Sequence, residues 1–222
     1  MRVLDRNISE NTEKMLHRLF SDKETSFPVE YEYTPEETSS VTFLGDKYII
    51  KLQKSISDQL VFEDTLLHEY THIYQMENSM PKLIIDDISE EYTEILQNTE
   101  DMVMDIDVNR ILNSLGYSPL RYDTKYKVYF PLFRTFKKKA PEPCMFDQLQ
   151  WALELSFMYF TDSKQHCKNC LNCIEKTTYS ISKITYAFID NISSYISSPR
   201  NSDTIELLYS ELKGIISKHF IG

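Results

Sequence analysis

Hydrophobic and polar residues follow two different periods in the N-terminal part of the chain. Over residues 8–20 apolar side chains recur at helical spacing behind Ser9, a residue type that caps helices, and this pattern predicts an amphipathic helix. Between residues 29 and 53 the period changes to two, and Gly45-Asp46 separates two apolar segments as the turn of a hairpin does. We therefore predict one helix followed by two or three short strands.

Two long helices are predicted to follow the strands. Residues 55–58 form a capping signal, and the apolar periodicity behind them predicts a helix over 59–77 that ends at Asn78. A second helix is predicted over 87–115, because apolar residues recur at spacings of three and four until Gly116. This second helix would exceed the average helix of globular proteins, about 11–12 residues long.

The C-terminal half is predicted to be mainly helical. Residues 122–143 contain aromatic residues, prolines and a lysine run, which favours a connection with strand-like structure over 127–133. Apolar periodicity predicts helices over residues 145–159, 170–197 and 202–219. No internal repeat relates these helices to one another.

These elements define an α+β fold class. A small mixed or antiparallel sheet and the two long helices form a predicted core over residues 1–118. A mainly helical region over residues 119–222 is expected to pack on that core as one unit. The chain has 222 residues, of which 41% are hydrophobic and four are glycine, so it can bury a packed core and is not of the disordered class.

Charge restricts the partners that can be expected. The net charge is −10, whereas nucleic-acid binders and readers of anionic membranes need an excess of basic residues on one face. The N-terminus lacks the apolar segment of a secretion signal, and no apolar run approaches the ~20 residues that span a bilayer. We expect a cytoplasmic protein with a protein or peptide partner, no nucleic acid and no membrane.

The predicted helix over 59–77 contains an HExxH motif, His68-Glu69-Tyr70-Thr71-His72. Residues four apart share a helix face, so both imidazoles can bind one metal ion, and Glu69 is placed to take a proton from a bound water molecule. Zinc is the expected metal, because it accepts neutral imidazole nitrogens in tetrahedral sites and lowers the pKa of a bound water to ~7. The motif predicts His68 and His72 as ligands and Glu69 as the catalytic base.

A third ligand has to come from elsewhere in the chain. No histidine lies between His72 and His166, which disfavours the metzincin pattern with its third histidine shortly after the motif. The second long helix offers three candidate carboxylates, Glu100, Asp101 and Asp105. Asp101 and Asp105 share a face because they are four apart, whereas Glu100 lies about 100° away. We predict one aspartate as the ligand, with a preference for Asp101, and the other as an acceptor that orients an imidazole.

With these motifs, residues 41–112 resemble the gluzincin class of zinc metallopeptidases, in which a second helix supplies an acidic ligand to the HExxH helix. The chain departs from the E-x-x-x-D pattern of known members, because Asp101 stands in the place of the glutamate. The run that begins Asp105-Ile-Asp-Val-Asn also resembles the D-x-x-I-N-x-x-L helix of certain bacterial metallopeptidases, which makes Asp105 the ligand. The resemblance implies Zn2+, a peptide-bond substrate, and pairing of the extended substrate with a strand edge, for which residues 48–52 are the candidate.

Two function classes follow from these features. The leading hypothesis is a zinc-dependent metallopeptidase that hydrolyses a specific protein substrate, with a regulatory rather than a digestive role. The alternative is a catalytically silent module that keeps the gluzincin scaffold and binds proteins through its C-terminal helices. Dependence of the biological effect on Glu69 separates the two hypotheses.

A cysteine cluster forms a second candidate metal site. Cys167, Cys170 and Cys173 follow one another at CxxC spacing, Cys144 lies upstream, and thiolates at this spacing chelate zinc or iron–sulfur clusters. The alternative is the start of a helix with partly buried thiols, or one disulfide.

Charged residues are unevenly distributed. Residues 58–107 contain 14 acidic residues and one lysine. This excess of negative charge either attracts cations and basic peptide segments or only forms the solvated acidic faces of two helices. The basic run 137–139 is interpreted as solvated loop charge rather than a nucleic-acid site.

Overall fold

The computed structural model describes residues 1–21, 23–36, 38–84, 89–120, 124–135, 143–175 and 180–220. Within these ranges the chain is α+β and mostly helical, which confirms the predicted class. Its elements in chain order are β1 (Arg2–Val3), β2 (Arg6–Asn7), α1 (Glu10–Leu19), β3 (Val29–Thr34), β4 (Ser40–Phe43), β5 (Tyr48–Gln53), α2 (Gln59–Glu77), α3 (Glu90–Ser114), α4 (Thr124–Thr135), α5 (Met145–Thr161), α6 (Lys164–Ile174), α7 (Ile181–Ser197) and α8 (Ser202–Phe220).

The chain divides into two compact units. The first comprises Met1–Met80 and Val108–Leu120, and the second comprises Pro81–Asp107 and Arg121–Gly222. Helix α3 therefore contributes its N-terminal part to the second unit and its C-terminal end to the first. The boundary predicted at residue 118 lies near the end of the first unit, but most of α3 groups with the C-terminal helices.

The sheet of the first unit has the strand order β3-β5-β4. Strand β5 runs parallel to β3 and antiparallel to β4. In the turn between β4 and β5 the Leu44 N–H donates to the Lys47 carbonyl at 2.9 Å, and Gly45 adopts a φ of +92°, which favours glycine. The three strands and the hairpin at Gly45-Asp46 confirm the prediction from the period of two.

The substrate-pairing edge predicted over residues 48–52 is wrong. These residues belong to β5, and β5 is hydrogen-bonded to a strand on each side. The side chains of Tyr48, Ile50 and Leu52 are buried, because this central strand supplies the sheet face that packs into the core. Within the described residues β4 pairs with β5 alone, and it also packs against α2, so β4 presents a sheet edge beside that helix.

Helix α2 has the bounds predicted from its apolar periodicity. The Asp58 carboxylate caps the helix by accepting hydrogen bonds from the backbone N–H groups of Leu60 and Val61, at 2.8 and 3.1 Å. Its apolar face lies in the core of the first unit and comprises the fully buried side chains of Phe62, Leu66, Leu67 and Ile73. Because this face is fixed in the core, the neighbouring face that carries the HExxH histidines has a defined direction.

The second unit is built around α5, which packs against α6, α7 and α8. Its buried apolar side chains come from several helices and include Leu149, Leu155, Met158, Cys167, Cys170, Phe188 and Ile192. The fully buried carboxylate of Asp107 accepts hydrogen bonds from Arg200 Nε at 2.9 Å and Nη2 at 2.8 Å, and from the Tyr195 hydroxyl. A buried charge is thereby compensated by a bidentate partner.

The strand-like structure predicted over residues 127–133 is wrong, because these residues lie in α4. Tyr126 stacks on Phe130 and Tyr129 stacks on Phe133, with ring centroids 4.8 and 5.8 Å apart. Aromatic residues four apart therefore share helix faces, and Pro131 is accommodated inside the helix. Pro131 favours a connection, whereas the spacing of the aromatic residues indicates the helix that the structure has.

The single helix predicted over residues 170–197 is also wrong. The structure forms two helices there, α6 and α7, and residues 176–179 lie outside the described ranges. Helix α6 begins earlier than predicted, because the Ser163 hydroxyl accepts a hydrogen bond from the Gln165 N–H at 3.1 Å and caps it.

Candidate metal centre

The two histidines of the HExxH motif point their ring nitrogens at each other. His68 and His72 lie one turn apart on α2, and their Nε2 atoms are 3.1 Å apart. Two nitrogen ligands of a tetrahedral zinc ion, each bonded at 2.0–2.1 Å, lie about 3.3 Å from each other. The imidazole pair therefore already has the spacing that one metal ion requires.

Gln75 fixes the orientation of one imidazole. Its side-chain Oε1 lies 2.9 Å from His72 Nδ1, and an amide oxygen only accepts, so Nδ1 carries the proton and donates it. The lone pair of His72 is then on Nε2, the atom that faces His68. Gln75 is fully buried and held in the core. The sequence predicts an aspartate in the orienting role. Gln75 is not predicted, because its only signal is its position three residues after His72.

Asp105 supplies the third candidate ligand. His68, His72 and Asp105 each offer a ligand atom, and these atoms all lie within 4.8 Å of one another. All three side chains are half-buried, so the group is reachable from solvent. No other group of three histidine, cysteine or acidic residues comes together in this way among the residues that the structure describes.

The two other candidate carboxylates of α3, Asp101 and Glu100, lie outside this group. The exposed Asp101 lines a cavity together with Asp105. Glu100 accepts a hydrogen bond from the Leu83 N–H at 3.3 Å, and burial raises the pKa of its carboxyl group. The choice of ligand stays a prediction, and the geometry favours Asp105 over the sequence preference for Asp101.

A hydrogen-bonded clamp sets the end of α3 beside α2 in the first unit. The buried carboxylate of Asp64, one turn before His68, accepts hydrogen bonds from the Tyr117 hydroxyl at 2.7 Å and from the Leu120 N–H at 3.0 Å. Tyr117 and Leu120 follow Ser114, the last residue of α3, so the clamp holds the C-terminal end of this helix in the first unit. This clamp cannot be predicted from the sequence, because its partners are more than fifty residues apart and match no motif.

Glu69 is buried, with 5% of its surface exposed. It follows His68 directly on α2, so helix geometry turns its side chain by about 100° from that histidine. A carboxylate in such a position is costly to desolvate and persists where it is bonded or where it serves chemistry. This environment is consistent with the predicted role of a proton acceptor.

The cysteines form no comparable group in the described part of the chain. All four are free thiols, with Cys144 exposed and Cys167 and Cys170 buried. Burial raises the pKa of both Cys167 and Cys170 to about 12, so they are protonated at neutral pH. No group of three potential ligands forms around these cysteines in the described residues, so the geometry does not support the second metal site. The basic run 137–139 lies outside the described residues.

Comparison with protein-family models, with curated proteins and with solved structures gave no match. None of the helices in the described ranges has both the length and the apolar composition that crossing a membrane requires. The function is therefore inferred from the geometry of the chain itself.

Proposed function

We propose that the protein is a zinc-dependent metallopeptidase in which His68, His72 and Asp105 hold the metal and Glu69 is the general base. The convergence of one ligand atom from each of His68, His72 and Asp105, all within 4.8 Å of one another, carries the proposal. Two imidazoles and one carboxylate are a common ligand set of catalytic zinc, which keeps a fourth position for water or substrate.

The chemistry of the donor set fits zinc. Neutral imidazole and carboxylate oxygen both bind this borderline metal, and the Gln75 hydrogen bond keeps His72 in the tautomer that presents Nε2. Zinc held there would act as a Lewis acid on a carbonyl oxygen and make water a nucleophile near neutral pH.

Glu69 would move the protons of the reaction. Its carboxylate accepts a proton from the attacking water and then delivers that proton to the nitrogen of the departing amine. One residue thus serves both transfers. His68 and His72 would bind the metal ion and fix its position. The buried surroundings of Glu69 limit competing hydrogen bonds from bulk water.

The substrate backbone is proposed to pair with strand β4. An extended peptide can add to a sheet edge through main-chain hydrogen bonds. Strand β4 pairs with β5 on one side and packs against α2, the helix that carries the histidines. This assignment replaces the central strand β5, whose two sides are already paired.

The decisive experiment compares the wild type with Glu69→Gln. The variant keeps the shape of the side chain and removes the proton acceptor, so peptide cleavage should fall by at least ~10²- to 10⁴-fold while zinc is retained. Cleavage is measured by mass spectrometry of digested peptide mixtures, and zinc by elemental analysis. Glu94→Gln, the same chemical change at an exposed position of α3, is the matched control and should leave cleavage unchanged.

A catalytically silent binding module should keep its biological effect when Glu69 is replaced. If Glu69→Gln leaves the biological effect of the protein intact, and neither protein cleaves any peptide, the peptidase proposal fails.

A further inference from the structure

Three aromatic side chains of the first unit, Phe27, Phe43 and Tyr48, cluster beside the turn between β4 and β5. The ring centroids of Phe27 and Phe43 are 5.0 Å apart, and those of Phe43 and Tyr48 are 4.9 Å apart. Tyr48 is buried, whereas Phe27 is 37% exposed and Phe43 is 41% exposed. These three residues, the aromatic cluster, therefore present ring surface to solvent that the proposed chemistry does not use.

The backbone of β4 directs the hydrogen-bonding groups of Val41 and Phe43 toward its outer edge. In an antiparallel ladder, hydrogen-bonded residue pairs alternate with pairs that exchange no hydrogen bond. The Leu44 N–H donates to the Lys47 carbonyl in the turn, so Thr42 belongs to the next hydrogen-bonded pair. Val41 and Phe43 belong to the other kind of pair, and their N–H and carbonyl groups therefore point away from β5.

The side chain of Phe43 lies on the sheet face that packs against α2. Directly opposite residues of an antiparallel pair share a sheet face, and Phe43 lies opposite Tyr48, which belongs to the same core as the buried face of α2. A peptide strand added to β4 therefore places one side chain beside Phe43 on this face. The Cβ atoms of such neighbours are ~4.5–5.5 Å apart, which is within contact distance of two rings.

The aromatic cluster lies near the C-terminal end of α2. Glu77 is the last residue of this helix, and its Oε1 accepts a hydrogen bond from the N–H of Ser26, the residue before Phe27, at 2.6 Å. Glu77 lies about 7.5 Å beyond His72 along the helix axis. An extended strand covers this distance in roughly two residues. A peptide that passes the histidines along β4 therefore reaches the cluster roughly two residues farther along.

We propose that the aromatic cluster is a specificity site for an aromatic side chain of a peptide paired with β4, roughly two residues from the scissile bond. Aromatic side chains on neighbouring strands stabilise each other, and Phe43 is the residue that makes this contact. The inference rests on the proposed peptidase function and on its pairing of the substrate with β4. It adds that the substrates are aromatic at one defined position.

A binding measurement tests the site without catalysis. Fluorescein-labelled decapeptides of alternating threonine and alanine, with one central phenylalanine, alanine or lysine, are titrated against Glu69→Gln in the presence of zinc. The phenylalanine peptide should bind about tenfold more tightly than the other two, because only its ring contacts the cluster. Adding Phe43→Ser should remove this difference. Phe43→Tyr, which keeps the ring, and the matched control Leu44→Ser, at an exposed apolar residue of the adjacent turn, should keep it.

The possible results separate the aromatic cluster from the peptidase function. A preference for phenylalanine that depends on Phe43 supports the cluster as a peptide-binding site even if the wild type cleaves no peptide, in which case the peptidase function alone fails. Equal binding of the three peptides, or a preference that Phe43→Ser leaves intact, overturns the site. A dimer in sedimentation that Phe43→Ser dissociates would mean that a second copy of the chain covers β4, and this result also overturns the site.

Cleavage specificity gives the position of the aromatic residue. Wild type, Phe43→Ser and Leu44→Ser are incubated with a random decapeptide mixture, and the cleavage sites are determined by mass spectrometry. Wild type and Leu44→Ser should prefer an aromatic residue roughly two positions from the cleaved bond, and Phe43→Ser should reduce this preference about tenfold. Cleavage by the wild type without an aromatic preference overturns the site while the peptidase function stands.

Discussion

Helices α2 and α6 both carry metal-binding motifs, and they differ in how they display the ligand side chains. On α2, His68 and His72 are four residues apart, which at 100° per residue leaves them about 40° apart around the helix axis. On α6, Cys167, Cys170 and Cys173 follow at intervals of three, so they spread over about 120°. The histidines converge to 3.1 Å between their Nε2 atoms, whereas the thiols form no metal-binding group in the described residues.

The surroundings of the two motifs reinforce this difference. His68 and His72 are half-buried, and Gln75 holds one ring in the tautomer that a metal needs. Cys167 and Cys170 have no exposed surface, and burial raises the pKa of each to about 12. Cysteines at CxxC spacing can chelate a metal when they lie in a tight turn. In a helical segment such as α6, the same spacing places Cys167 and Cys170 on a buried helix face. Whether a motif can bind a metal therefore depends on the secondary-structure element in which it lies.

The largest expected effect is the loss of zinc from histidine variants only. His68→Ala or His72→Ala should reduce zinc from about one ion per chain to near zero, because two ligands of mixed type retain the metal poorly. Cys167→Ala and Cys170→Ala should retain zinc and lose roughly 1 kcal/mol of unfolding free energy, as expected when a small buried side chain is removed. Elemental analysis and thermal unfolding measure the two effects. Zinc that disappears from the cysteine variants and stays in the histidine variants would reverse the contrast.

A smaller contrast is expected within α3. Asp105→Asn should weaken zinc binding by more than the ~10- to 100-fold that follows loss of an orienting partner, because it removes a ligand. Asp101→Asn should leave zinc affinity nearly unchanged. Competition with a fluorescent chelator gives both dissociation constants. The opposite order of effects would restore Asp101, the preference from the sequence, as the ligand.

The sequence alone cannot decide which of these two aspartates is the metal ligand. Asp101 and Asp105 share one face of α3 by their spacing, so periodicity cannot separate them. They differ by about 6 Å along the helix axis, and only the packing of α3 decides which of them reaches the histidines. In the first unit that packing depends on the clamp between Asp64 and Tyr117. No local sequence pattern predicts this clamp.

The elements that were predicted well depend on local signals. Helix α2 and the hairpin at Gly45-Asp46 follow from apolar periodicity, a capping carboxylate and a glycine with positive φ. The position of β5 between two strands could not be predicted, because parallel pairing with β3 joins segments separated in sequence. The helix α4 could have been predicted from its aromatic residues at intervals of four.

An intermediate effect is expected at Gln75. Gln75→Leu removes the acceptor for His72 Nδ1, so the ring loses its fixed tautomer and zinc affinity should fall by about 10- to 100-fold. Gln75→Glu keeps an acceptor and should retain most of the affinity. Gln97→Leu, at an exposed position of α3, is the control. Equal affinities for the wild type and a folded Gln75→Leu variant would show that the hydrogen bond orients no ligand.

The smallest expected effect is the response of the thiols to zinc, which should be nil. Thiolates react with iodoacetamide, so the exposed Cys144 should be labelled readily, whereas Cys167 and Cys170 should react slowly in the folded protein. Their pKa of about 12 keeps them protonated below that pH, and their labelling should therefore accelerate as the pH rises toward it. Mass spectrometry of labelled peptides is compared with excess zinc and with chelator. Since a bound metal shields its thiolates from alkylation, protection of Cys167 or Cys170 by zinc would mean that α6 also holds a metal, and the contrast between the two helices would disappear.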